Sequence, residues 1–317
     1  MTAIDILLPR PTLPIVEEQL DAAFTVHRSY KAEDPDAMLR EVGNKIRGVA
    51  MAFGAVDAQL LAKIPNVEIV SSLGVGYDHI NIPDCKAANV MVTHTPDVLS
   101  DEVADTAIGL MIMTIRELGQ AEQWLRQGNW LAKGPYPLTQ ATLRGRTLGV
   151  FGLGRIGKEI AKRAEAFGMS IRYHGRNPQK DVAYPYDDSL EGLAEACDTL
   201  MVVAPGGAAT EHAVNAKVLE KLGPDGIVLN IGRGSVIDET ALIEALENGT
   251  IYGAGLDVFE QEPQVPEALL RLPRVTVLPH VGSASQATRN AMGQLVVDNL
   301  TSWFKSGRAV TPVPEMT

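Results

Sequence analysis

The first residues to ask for chemistry are glycines. Gly152-Leu153-Gly154-Arg155-Ile156-Gly157 stands between an apolar run ending at Phe151 and a segment, Lys158 to Ala164, with helical spacing. A strand, a glycine turn and a helix in this order form a dinucleotide site. Gly152 permits the tight turn, Gly154 lets the backbone approach a pyrophosphate, and Gly157 allows the helix to pack closely on the strand. The helix N-terminus, with Arg155 and Ile156 in its first turn, then offers unpaired N–H groups to the anion. The fingerprint usually ends in an acid that binds the ribose 2′-hydroxyl after the next strand. Here that place reads His174-Gly175-Arg176-Asn177-Pro178-Gln179-Lys180. A carboxylate would repel a 2′-phosphate, whereas Arg176 attracts one through charge-assisted bonds, with Gly175, Asn177 and Lys180 beside it. The expected cofactor is therefore NADP(H) in preference to NAD(H), the alternative being a solvated basic loop; no metal enters this reading.

Further along, an arginine, a glutamate and a histidine each follow an apolar run with strand character. Arg233 lies in Asn230-Ile231-Gly232-Arg233-Gly234-Ser235, Glu262 in Asp257-Val258-Phe259-Glu260-Gln261-Glu262-Pro263, and His280 in Pro279-His280-Val281-Gly282-Ser283. Ligands of open α/β sheets bind outside the carboxyl ends of the strands, so the three can converge beside a nicotinamide. Taken singly, Arg233 reads equally well as a surface ion-pair partner, Glu262 as a loop charge and His280 as a satisfied core histidine. Their joint placement at strand ends in a nucleotide-binding sheet is what favours the functional reading.

The elements that must hold these residues follow from the apolar pattern. Short buried strands are expected at Ile4–Leu8, Val49–Phe53, Glu68–Ser72 and Val90–Thr93, with helical segments at Glu17–Phe24 and Asp36–Ile46 between them. Ser100 is expected to cap a long apolar helix reaching Glu117, followed by a helix over Gly119–Gln127 and an irregular stretch from Gly128 to Thr142. Alternation resumes with strands at Arg146–Phe151, Ser170–Tyr173, Thr199–Val203, Gly226–Asn230, Gly253–Val258 and Val275–Leu278, and a final helix spans Ala284–Phe304. Strand–helix alternation on both sides of the long helix predicts two parallel sheets.

Composition agrees. The 317 residues exceed what one core of about 250–300 residues holds, and 45% of them are hydrophobic, enough to fill two. A formal net charge of −11 argues against a nucleic-acid surface. Cys85 and Cys197 make no disulfide framework, no secretory signal is read at Met1–Asp5, and the longest apolar runs, such as Ile108–Ile115, are too short to span a bilayer. The expectation is a cytoplasmic protein with no membrane partner.

These motifs together resemble the D-isomer-specific 2-hydroxyacid dehydrogenases, especially their glyoxylate/hydroxypyruvate reductase branch. The resemblance runs over nearly the whole chain. It is carried by Leu73-Gly74-Val75-Gly76-Tyr77-Asp78, the helix beginning Asp101-Glu102-Val103-Ala104-Asp105, the glycine loop, and the Arg233, Glu262 and Pro279-His280 motifs. It implies two doubly wound parallel-sheet domains, a Rossmann cofactor domain at 99–285 with a dimerisation arm, inserted into a flavodoxin-like substrate domain at 1–98 and 286–317. It also implies roles. Arg233 would grip the substrate carboxylate, His280 would be the proton donor in reduction, and Glu262 would hold its imidazole and raise its proton affinity. Backbone N–H groups of Val75 and Gly76 would complete the carboxylate site. Ala204, Pro205, Ile231, Asp257 and Gly282 would be further cofactor contacts, although the glycines of Ala204-Pro205-Gly206-Gly207 depart from the usual form of that loop. Asn81 stands where many relatives carry aspartate, in a structural place.

Candidate substrate walls are Met51, Phe53 and Leu73. The resemblance further implies a homodimer, in which Trp130 either closes the partner's site or simply packs in the interface, with Tyr136 beside it in the arm. A bulky wall favours glyoxylate and hydroxypyruvate, an open one hydroxyphenylpyruvate-like acids. Rivals are a phosphoglycerate dehydrogenase, a formate dehydrogenase, disfavoured because Glu262 replaces a neutral amide, and a nucleotide-sensing corepressor on the same scaffold.

Overall fold

The computed structural model describes residues 4–317, so the Met1–Ala3 stretch read for a leader lies outside the described residues. The chain divides into two compact units, one built from the residues up to Leu99 together with Ser285–Thr317, the other from Ser100–Ala284.

The first unit holds five strands: β1 (Asp5–Leu8), β2 (Thr25–Arg28), β3 (Ile46–Met51), β4 (Ile69–Ser72) and β5 (Met91–Thr93). They are all parallel and run β2-β1-β3-β4-β5, the flavodoxin-like order. Successive β1 residues feed opposite cores: Leu7 packs with Val49, Val70 and Val92, while Ile6 and Leu8 pack with Val16, Leu20, Val296 and Leu300. With both faces covered, β1 runs on as an unbroken apolar stretch from Ile6 to Leu8 rather than alternating. Pro14–Ala23 and Gln286–Ser306 are the helices on the second face, and they touch where a Cβ on Gly293 would stand 2.7 Å from Val16 Cγ2. The carboxyl-terminal helix thus completes the amino-terminal sheet.

Some details differ from the sequence expectation. Strand β2 escapes the apolar pattern because it is a short edge strand whose residues are exposed or half-buried. The first helix begins at Pro14, three residues earlier than expected, because proline's fixed φ suits a first helical position. Asn81 is structural: its Oδ1 accepts the Asp84 N–H at 3.1 Å and caps the helix Ile82–Ala87.

The second unit holds β6 (Thr147–Phe151), β7 (Ser170–His174), β8 (Thr199–Val202), β9 (Ile227–Asn230), β10 (Gly253–Leu256) and β11 (Val275–Val277). These strands too are all parallel, in the order β11-β10-β9-β8-β6-β7. Chain order reverses between β6 and β8. A crevice at the carboxyl ends of the strands opens at such a reversal. Two α/β units with parallel sheets of five and six strands match the fold class the sequence implies.

Ser100 does not cap the long helix. It is the first residue of Ser100–Ile115, it is buried, and its hydroxyl makes no hydrogen bond among the described residues. The stretch read as irregular contains a short helix, Asn129–Lys133. Around it, Leu118, Leu125, Trp130, Leu131 and Leu138 are exposed, Leu131 and Leu138 almost completely. Among the described residues no helix is long and apolar enough to cross a membrane, and both cysteines are buried free thiols.

Candidate active site

Strand β6 delivers the glycine loop. Gly152 adopts φ +100°, a region that excludes most side chains, and a Cβ on it would stand 2.7 Å from the Ala204 nitrogen at the end of β8. A Cβ on Gly157 would stand 2.4 Å from the Gly152 carbonyl oxygen. Gly154 faces open space and has no side chain with which to cap the helix Arg155–Ala166. Ala204 is buried and Pro205 exposed.

The loop after β7 presents Arg176, Asn177 and Lys180 to solvent, with Gly175 half-buried. Its shape is held from beneath. The His174 ring stacks between Phe151 and Tyr186 at centroid distances of 5.7 and 6.0 Å, and its Nδ1–H donates to the Asp187 carbonyl at 2.8 Å. Tyr186 donates its hydroxyl to the Gly175 carbonyl at 3.0 Å. Gln179 Nε2 donates to the Leu153 carbonyl at 2.6 Å and ties this loop to the glycine turn. Sequence reasoning assigned no role to His174, Gln179 or Tyr186, since only the folded main chain shows what they brace.

The arginine, glutamate and histidine do follow β9, β10 and β11. Asn230, fully buried at the end of β9, accepts the Gly232 N–H at 3.0 Å and donates to the Arg233 carbonyl at 2.8 Å. That staple fixes the turn from which the half-buried Arg233 projects; its Nη1 donates to the Gly232 carbonyl at 3.0 Å. Ile231 is buried beside it. After β10, Asp257 is buried, and its two carboxylate oxygens accept the N–H groups of Val281 at 2.7 Å and Gly282 at 2.8 Å. Burial pushes the Asp257 carboxyl up, against those two bonds and the nearby His280. Asp257 thereby staples the loop after β11 on which His280 sits.

His280 itself has φ +54°, uncommon for a residue with a side chain and a form of strain that gathers at functional sites. Its Nδ1 lies 2.7 Å from Glu262 Oε2, while Glu262 Oε1 accepts the Phe259 N–H at 3.0 Å. An ionised carboxylate only accepts, so Nδ1 carries a proton and Nε2 faces outward. Burial would raise the Glu262 carboxyl, but the bonds from His280 and Phe259 and the charges of His280 and Arg233 bring it below the ordinary carboxylate value. The three residues found in sequence therefore share one electrostatic site.

In the first unit, the loop after β4 is held by its backbone. Leu73 N–H donates to the Met51 carbonyl at 2.7 Å, and Gly74, at φ +140°, donates to Thr95 Oγ1 at 2.9 Å. His94 Nδ1–H donates to the Val75 carbonyl at 3.0 Å. The N–H groups of Val75 and Gly76 make no hydrogen bond among the described residues. Of the expected walls, Phe53 is 65% exposed and Leu73 half-buried, whereas Met51 turns into the apolar core. Trp130 is exposed, and Tyr136 packs edge-on against Trp124 and donates to Glu117 Oε2 at 2.8 Å.

Comparison with known proteins assigns a class. Residues 108–282 match the family model described as D-isomer specific 2-hydroxyacid dehydrogenase, NAD binding domain. The chain belongs to the D-isomer-specific 2-hydroxyacid dehydrogenase family. Among its relatives, glyoxylate/hydroxypyruvate reductase A of Arabidopsis thaliana is 44% identical over 314 residues, 99% of this chain and 100% of that protein. Hydroxyphenylpyruvate reductase of Plectranthus scutellarioides is 41% identical with the same coverage. Among solved structures, the NADPH-dependent glyoxylate/hydroxypyruvate reductase of Sinorhizobium meliloti in complex with NADP and malonate superposes with a TM-score of 0.93 at 52% identity, over 99% of this chain and 98% of that one.

Proposed function

We propose that the chain is an NADPH-dependent reductase that converts small 2-keto acids, glyoxylate and hydroxypyruvate foremost, to D-2-hydroxy acids. The observation that carries this reading is the 2.7 Å bond between His280 Nδ1 and Glu262, in the field of Arg233. The residues suit the cofactor: the open face of Gly154 leaves room for a pyrophosphate at a helix N-terminus, and the exposed Arg176 offers charge to a 2′-phosphate, helped by Asn177 and Lys180. When bound, the dihydronicotinamide supplies a hydride to the keto carbon. His280 donates the proton from Nε2 to the carbonyl oxygen, and Glu262 keeps the ring oriented and stabilises the imidazolium before transfer. Arg233 holds the substrate carboxylate and stabilises charge gathering on the oxygen. In the first unit, the N–H groups of Val75 and Gly76 are main-chain donors suited to a carboxylate. Malonate in the Sinorhizobium meliloti structure is a dicarboxylate, in keeping with an anion-binding site in that relative.

The test is NADPH and NADH oxidation with glyoxylate, hydroxypyruvate and hydroxyphenylpyruvate. The expected result is a higher kcat/KM with NADPH than with NADH and with the small acids than with the aromatic one. A preference for hydroxyphenylpyruvate would favour the second reading, which draws on the Plectranthus scutellarioides relative and on the exposed Phe53. No turnover would leave a nucleotide sensor. The reading includes a homodimer formed through the arm, supported by the exposed apolar side chains from Leu118 to Leu138. It also places the protein in the cytoplasm, where free thiols such as Cys85 and Cys197 stay reduced.

A further inference from the structure

Behind Arg233 and Glu262 lies a second set of ionisable side chains that the proposed chemistry does not use. Glu239 opens the helix Glu239–Glu247, is 9% exposed, and accepts the Glu260 N–H through Oε1 at 2.8 Å. The Glu260 side chain reaches the other way, with Oε1 2.6 Å from His212 Nε2. His212 sits at φ +48° in the loop after β8, and its N–H donates to the Ser235 carbonyl at 2.8 Å, two residues beyond Arg233. A Cβ on Gly234 would stand 1.8 Å from the Phe259 carbonyl carbon, so the Arg233 turn and the Glu262 turn touch backbone to backbone. The Phe259–Glu260 peptide is thus gripped on its carbonyl side by Gly234 and on its N–H side by Glu239. The same Phe259 gives its own N–H to Glu262.

We propose that Glu239, with Glu260 and His212, is a positioning group for the reduction: it fixes the turn that aims Glu262 at His280, and its negative charge helps set the protonation of that pair. This rests on the function proposed above. Holding a peptide N–H needs only a neutral acceptor, and an amide would do so without the desolvation cost of a buried carboxylate. The charge has an electrostatic consequence because Glu262 faces it. Glu262 also faces the cations His280 and Arg233 and the anion Asp257. Burial pushes the Glu239 carboxyl up, the Glu260 N–H opposes this and the facing Glu260 and Glu262 add to it, while His212 faces Glu260, Asp238 and Glu211. An anion at position 239 raises the proton affinity of Glu262, the carboxylate it faces.

Two variants separate position from charge. Glu239→Gln keeps the acceptor and removes the charge. It is expected to hold kcat at its optimum within about threefold while the acidic limb of the pH profile, set by Glu262, moves to lower pH by about 0.5 unit. Glu239→Ala strands the Glu260 N–H and is expected to lower kcat about tenfold with the NADPH Kd within about twofold. The Glu262 carboxyl, titrated by NMR in the resting protein, should move in the same direction in Glu239→Gln. An unmoved profile and titration in Glu239→Gln, with full kcat in Glu239→Ala, would overturn the proposal. A uniform loss of kcat in both variants with no shift in Glu262 would overturn it too, by making Glu239 a merely structural acid. Because the titration needs no substrate, a protein that reduces no 2-keto acid but shows the shift would sink the function and keep the positioning role.

Discussion

The two units hold their loops in different ways. After β4, the Leu73–Gly76 segment is tied down by main-chain and threonine contacts and presents main-chain N–H groups. After β9, β10 and β11, charged side chains do the presenting, and each is braced by a polar partner: buried Asn230 under Arg233, Phe259 N–H and His280 on Glu262, buried Asp257 under His280. Main-chain donors keep their geometry whatever side chains flank them. Long charged side chains do not, and the second unit accordingly buries Asn230, Asp257 and Glu239 to hold its turns.

Substitution should expose that contrast. Arg233→Ala is expected to lower kcat/KM for the keto acid about 10²–10³-fold. Val75→Ala, which leaves the main-chain N–H in place, should change it by no more than about threefold; steady-state kinetics on both decides whether side chain and main chain divide the work in this way. An effect of Val75→Ala as large as that of Arg233→Ala would erase the distinction. Gly152→Ala is expected to cost about 1–3 kcal/mol in denaturant unfolding, because φ +100° and the 2.7 Å approach of Ala204 leave no room for a methyl group.

A smaller effect concerns pH. The Glu260 carboxylate raises the His212 imidazole above its ordinary 6.5. A raised folded value contributes stability in full below the unfolded pKa, and that contribution fades as pH rises through the folded value. The Tm gap between wild type and Glu260→Gln should therefore be open below about pH 6.5 and close as the pH climbs past the raised value of His212. For Glu262 the sign is opposite. Its carboxyl is lowered from the ordinary 4.5, so the stability drawn from the His280 pair is present above that value and lost on acidification through the lowered one.

Much of this was legible in the sequence because it is written in local pattern. The apolar runs locate ten of the eleven strands found among the described residues, and the glycine spacing locates the turn after β6. Placing Arg233, Glu262 and His280 at strand ends needed nothing more than those runs. The edge strand Thr25–Arg28 lacked the apolar signal, and the five-residue helix Asn129–Lys133 was too short to show a period. Ser100 looked like a cap by residue type, yet its hydroxyl is buried without a partner. The bracing groups Asn230, Asp257, Glu239, Gln179 and His212 serve main-chain atoms that are brought to them by the fold. The family resemblance implies Asp257 only as a cofactor contact, and its grip on the Val281 and Gly282 amides has no counterpart in spacing or periodicity.

The central claim is that His280, held by Glu262, supplies the proton, and His280→Ala measures it most directly. Turnover of glyoxylate with NADPH should fall about 10²–10⁴-fold, while the Kd for NADPH, read by its fluorescence, should stay within about twofold. Turnover close to wild type in a folded His280→Ala protein that still binds NADPH would contradict the account.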